Sequence, residues 1–209
     1  MKLRKILGFS SIFLIITILF IGNTHAQIIF RKDKPEVKLV WSRVADYSPS
    51  LRSVETAEIS PTGKNIISGS KFGNYLMFWR VADGELLWEK VLDAEIEAVT
   101  FSPDGKYVAA GDEAYFVTIW DTNGKLVKKL KHDCAFDGIT WSPNGKYVAG
   151  GSEKGEVVLW NTPNWKKEKI LAAGATVNSL QFTKDNKKLI AAGNKMNPNP
   201  THDWDRHGF

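Results

Sequence analysis

The chain has 209 residues, 43% of them hydrophobic and 24% charged, which is the balance of an ordinary globular protein and excludes a disordered or fibrous chain. Its formal charge is +5, but Lys2, Arg4 and Lys5 lie at the extreme N-terminus, and without them the balance falls to +2. So small an excess, with the lysines scattered among turns and outer strands, argues against a nucleic-acid binder.

From the N-terminus, Met1 to Lys5 is basic, Ile6 to Gly22 is apolar apart from Ser10, Ser11 and Thr17, and Asn23-Thr24-His25-Ala26 is a polar stretch ending in small residues. That is the pattern of an export signal, residues 1–26, cleaved after Ala26 to leave Gln27 first. The alternative is an uncleaved N-terminal membrane anchor, since the apolar run approaches a spanning length. Either way the rest of the chain is expected outside the cytoplasm, periplasmic or secreted, with no other membrane association. Residues 27–36 are expected to be a lead-in without regular structure. Residues 37–44, with Trp41 at their centre, are expected to form a strand.

A repeated unit follows. The stretch Phe101 to Trp120, FSPDGKYVAAGDEAYFVTIW, contains two apolar runs separated by turn strings. Ser102-Pro103-Asp104-Gly105 is a tight turn, in which proline presets φ and glycine accepts the positive φ that closes it. Tyr107 to Ala110 is a nearly continuous apolar run ended by Gly111, as expected of a strand buried on both faces. Phe116 to Trp120 is apolar and β-branched and ends at another turn, Asp121-Thr122-Asn123-Gly124. The same string recurs at Ser60-Pro61-Thr62-Gly63 and Ser142-Pro143-Asn144-Gly145, with a worn copy at Thr183-Lys184-Asp185-Asn186. The spacing is 42 residues from Ser60 to Ser102 and 40 from Ser102 to Ser142. A period near 40 in four-strand units is the signature of propeller blades.

These strings, SPDGKYVAAG and SPNGKYVAGG followed by IWD and LWN, resemble the WD-repeat family over about residues 37–193. The resemblance implies an all-β propeller of four-stranded antiparallel blades. The blades are expected at about 54–91, 97–130, 138–171 and 177–209, the last incomplete. About 3.5 blades form an incomplete ring, since propellers close with about 4 to 8. The chain is therefore expected to be the N-terminal part of a longer propeller, with self-association as the alternative. Residues 37–44 are expected to be the outer strand of a closing blade.

The family's hydrogen-bonded brace places a histidine before the first strand, and His132 stands at that position. Leu92 and Ala173 occupy it in the neighbouring blades, and Gly73, Ala114 and Lys154 replace the brace aspartate. His132 is therefore expected to be structural, within a brace that is largely missing. Trp79, Trp120 and Trp160 repeat at the blade period and are expected in the core, whereas Trp41, Trp88 and Trp165 fall on outer strands and are candidates for partner contact. Cys134 has no second cysteine to pair with and is expected to be a buried thiol. The tail His202-Asp203-Trp204-Asp205-Arg206-His207 collects metal-ligand types but has no ligand spacing, so a polar loop is expected. No catalytic, cofactor-binding or metal motif is recognisable, and no cofactor is expected. The expected function is an exported, non-catalytic scaffold for protein–protein interaction, with an exported enzyme or a carbohydrate-binding module as alternatives. Asp83-Gly84-Glu85-Leu86-Leu87-Trp88 also resembles the docking strings of quinone-dependent propellers, but lacks their threonine and one spacer.

Overall fold

A computed structural model describes residues 53–194 and, as backbone only, three short strands nearer the N-terminus. Apart from the strand residues Thr17, Ile18 and Ala26, the expected signal segment lies outside the described residues, as do the tail from His202 to His207 and the side chain of Trp41. The chain divides into two units, Met1–Pro49 and Ser50–Phe209. In the first, β1 (Thr17–Ile18), β2 (Ala26–Phe30) and β3 (Lys38–Arg43) form an antiparallel sheet in that order. The lead-in contains a strand, β2, and the expected strand around Trp41 forms as β3 and pairs with it. Pairing between segments so near in sequence closes a short loop, which costs less entropy than a long-range clasp.

The second unit is a series of antiparallel sheets. The first is β4 (Val54–Ile59), β5 (Asn65–Ser70), β6 (Tyr75–Arg80) and β7 (Leu86–Val91). The second is β8 (Ile96–Phe101), β9 (Tyr107–Asp112), β10 (Phe116–Asp121) and β11 (Leu126–Lys131). The third is β12 (Phe136–Trp141), β13 (Tyr147–Ser152), β14 (Glu156–Asn161) and β15 (Lys166–Ala172). A fourth pairs β16 (Ser179–Phe182) with β17 (Leu189–Ala192). Among the described residues the unit is an all-β propeller arc of three four-stranded blades followed by the two strands of a fourth. Among the described residues no helix is long and apolar enough to cross a membrane.

Each first hairpin closes in the same way. The N–H groups of Asn65, Tyr107 and Tyr147 donate to Ser60, Ser102 and Ser142 Oγ at 3.0, 2.9 and 2.9 Å. In the worn copy Lys188 N–H donates to Thr183 Oγ1 at 3.0 Å, and Asn186 takes the left-handed φ of 61° that glycine takes elsewhere.

Middle strands feed two cores at once, because successive side chains point to opposite faces. Val108 and Ala110 enter the core between blades one and two with Ile67, Phe78, Phe101 and Trp120. Ala109 faces the other way, into the core between blades two and three with Phe136, Trp141, Val148 and Trp160. A third core joins Ala149 and Val157 to Val177 and Leu180 of blade four.

Candidate functional site

Trp120 and Trp160 are buried, and Trp79 is half-buried. Trp79 Nε1–H donates to Ser68 Oγ at 2.9 Å, which keeps the serine–tryptophan part of a brace in blade one. Ala110 and Gly150 occupy the position of Ser68 in the next two blades, and the buried Trp120 Nε1 has no protein partner.

The three candidate contact tryptophans separate. Trp88 stacks flat on Phe78, centroids 5.0 Å apart and planes 2° apart, and its Nε1–H donates 2.9 Å to the Thr122 carbonyl of blade two. It fastens blade one to blade two and is not a free contact. Trp165 sits in the turn before β15 with φ 57°, not on the strand, and packs edge-on against Trp141 at 6.1 Å. Both have intramolecular packing partners: a turn of the next blade closes over Trp88, and Trp165 packs within its own blade.

His132 is buried between two carboxylates. Its side chain is 3% exposed, its Nε2 lies 3.0 Å from Glu156 Oε2, and its Nδ1 lies 3.1 Å from Asp133 Oδ1. The ring leans on Phe136 at 5.4 Å. Glu156 supplies the carboxylate that the expected aspartate position lacks, and one ligand atom each of His132, Asp133 and Glu156 lies within 4.8 Å of the others. Cys134 is a free, buried thiol whose pKa burial raises.

A further feature lies at one end of the innermost strands. In β4, β8 and β12 the register slips by one residue, between Val54 and Thr56, Ile96 and Ala98, and Phe136 and Gly138. The extra residue of each bulge is acidic: Glu55, Glu97 and Asp137. A bulge re-aims one side chain without ending the strand, so three blades present a carboxylate at one register. Glu95 and the turn residue Glu113 join Glu97, with carboxylate oxygens within 4.8 Å of one another. Lys71 of blade one reaches Glu97 at 3.4 Å, and Asn178 Nδ2–H of blade four donates to Asp137 Oδ2 at 3.4 Å.

The acids on this rim sense each other across blades. Lost hydration first, and the Glu95 and Glu97 carboxylates second, raise Glu113 to about 7. Burial, then the charge of Glu97, raises Asp137; burial, then Asp137 and Glu97, raises Glu153.

Asp112, at the end of β9, is buried and accepts the Phe116 N–H at 2.9 Å. Burial, opposed by this hydrogen bond and by Lys129, lifts it from 3.8 to about 6. The folded state therefore holds this proton more tightly than the unfolded chain, so its stabilisation is present below about pH 3.8 and lost as pH rises through about 6. In blades one and three the same bond is accepted by hydroxyls, Ser70 Oγ from Tyr75 N–H and Ser152 Oγ from Glu156 N–H. Asp112→Ser should keep the bond without the charge. Urea melts should show a gain of about 1–2 kcal/mol at pH 8 and little change at pH 4.

Comparison with known proteins bears on the whole repeat. The family model described as "Eukaryotic translation initiation factor eIF2A" matches residues 30–196. "Small ribosomal subunit protein RACK1z" of Arabidopsis thaliana is 35% identical over 79 residues, 37% of this chain and 24% of that protein. "Small ribosomal subunit protein RACK1y" of Oryza sativa subsp. japonica is 35% identical over 74 residues, 35% of this chain and 21% of that protein. The chain thus spans about a quarter of the length of the relatives it matches. The solved structure "Kuenenia stuttgartiensis Hydrazine Synthase" superposes with a TM-score of 0.67 at 18% identity, covering 72% of this chain and 45% of that one. At that identity the likeness is one of fold alone.

Proposed function

We propose, from the premise that the chain belongs to the eukaryotic translation initiation factor eIF2A family and folds as a WD-repeat propeller, that it is an exported, non-catalytic scaffold for protein–protein interaction. The observation that carries this reading is the acidic rim. Glu55, Glu97 and Asp137 stand at one register on blades fastened by buried cores, so a basic protein segment would meet charges already in place. Export rests on the basic start, the apolar run and the small residues before Gln27. The relatives' names speak of the small ribosomal subunit and of translation initiation. An exported chain does not meet that machinery, so only binding as a mode of action is carried over.

The test uses the chain expressed in full in its exporting cell. Mass spectrometry of the exported fraction should find Gln27 as the first residue. Chemical cross-linking should trap a partner that is lost in the Glu97→Lys/Asp137→Lys double variant, with circular dichroism unchanged. An intact Met1 in the cytosol would overturn the export reading. The same partner trapped equally by the double variant would overturn the rim.

A further inference from the structure

Lysines that are dispersed in the sequence are gathered by the fold onto two neighbouring outer strands. β11 carries Lys128, Lys129 and Lys131, with Lys125 in the turn before it, and β15 carries Lys166, Lys167 and Lys169. Glu168 is the one acid within these two strands. Lys167 Nζ lies 3.5 Å from Nδ1 of His132, the residue that follows β11, so the two strips adjoin. Every residue of β15 is exposed, and every residue of β11 except Leu130.

Protection of sheet edges against aggregation accounts for some lysine on outer strands. It does not account for this pattern. The outer strand of blade one, β7, occupies the same place with one lysine, Lys90, and one glutamate, Glu89. Exposed aliphatic side chains flank the lysines; β7 has exposed aliphatics too, Leu86, Leu87 and Val91, but only one lysine among them. Leu126, Val127, Ile170 and Leu171 are 44%, 39%, 47% and 37% exposed. Nor does the acidic rim neutralise the strip. Within the strip Lys129 is paired with Asp93, and the bulge acids Glu55, Glu97 and Asp137 lie on the innermost strands, three strands away across each sheet. At about 4.8 Å per strand that is roughly 14 Å, beyond the Debye length of about 8 Å at physiological salt.

Two chemistries could meet such a face, a phosphate polymer or an anionic lipid surface. Nucleic-acid surfaces use arginine forks and aromatic side chains that stack on bases, and β11 and β15 carry neither. Lysines on long apolar stems, set among exposed aliphatics, suit a lipid interface: the ammonium groups reach the headgroup phosphates and the aliphatic groups rest below them. We propose that the outer strands of blades two and three form a docking face for an anionic membrane surface. This goes beyond the scaffold reading and does not depend on it, since it concerns a different edge of the blades.

The experiment compares two charge-matched variants of the full chain. One removes Lys125, Lys128, Lys166 and Lys169 by substitution with glutamine, and the other removes the turn lysines Lys64, Lys106, Lys146 and Lys187 in the same way. Each lysine at an anionic surface contributes about fivefold in affinity, so the strip variant should bind phosphatidylglycerol vesicles more than about a hundredfold more weakly. The turn variant should lose far less, and neither should differ from wild type on phosphatidylcholine vesicles. Acetylation footprinting on the same vesicles reads the face directly, however the N-terminal segment behaves. Lys125, Lys128, Lys166 and Lys169 should be protected relative to Lys64 and Lys146. Equal losses in the two variants, an unchanged footprint, or tight binding to heparin without binding to vesicles would overturn the proposal.

Discussion

Val108→Asp should unfold this protein. Val108 is 0% exposed and faces the core between blades one and two, where β9 pairs it with Phe101 on one side and Trp120 on the other. Ile67, Phe78 and Leu76 complete the surroundings, and none offers a partner to a carboxylate. Leaving a charge unpaired at such a site costs about 3–5 kcal/mol, against a total stability of about 5–15 kcal/mol for a domain. The control is Val108→Ala, which opens a small cavity, costs about 2 kcal/mol and leaves a folded chain with a lower melting point. Urea melts followed by circular dichroism separate the two. An Asp variant that is soluble and melts like wild type would mean that β9 is not at the centre of its blade.

What could be read in the sequence and what could not follows from how local each feature is. The turn serines, the glycines after them and the apolar run from Tyr107 to Ala110 act within one hairpin. Their roles can be inferred from residue type and spacing alone, and Trp120 and Trp160 can be placed inside by their period. The acidic rim was also within reach, because Glu55, Glu97 and Asp137 recur at the same 42 and 40 residue intervals as the turn serines. The bulge itself is not legible, because it is a property of strand pairing, and the strand starts alone do not reveal which residue is extra. Trp88 was misjudged for a tertiary reason: its position on an outer strand is legible, but the Thr122 carbonyl that meets it belongs to the next blade, 34 residues on. The His132–Glu156 pair, 24 residues apart, follows no repeat at all.

Gly69→Ala should loosen blade one from blade two, and the reason lies in the way each blade accepts the next. Gly69, Gly111 and Gly151 recur at one position of β5, β9 and β13. Gly69 does not adopt the left-handed backbone, so any strain from a side chain there comes from contact alone. A Cβ on Gly69 would lie 2.4 Å from Ile96 Cγ2 and 3.0 Å from its Cβ; on Gly111, 3.1 Å from Phe136 Cβ; on Gly151, 2.3 Å from Val177 Cγ1. Ile96, Phe136 and Val177 each open the following blade, so the glycine is the notch into which the next blade's first residue fits. Overpacking at such a notch costs about 1–3 kcal/mol, since neither strand can retreat without breaking its ladder. Ile96→Ala alone should cost about 2–4 kcal/mol for lost burial and a cavity. Combined, the two changes should cost less than their sum by at least about 1 kcal/mol, because the new methyl occupies space that the isoleucine has vacated. Denaturant melts of the four proteins give this coupling directly. Strict additivity would show that Gly69 is required for some reason other than the seating of blade two.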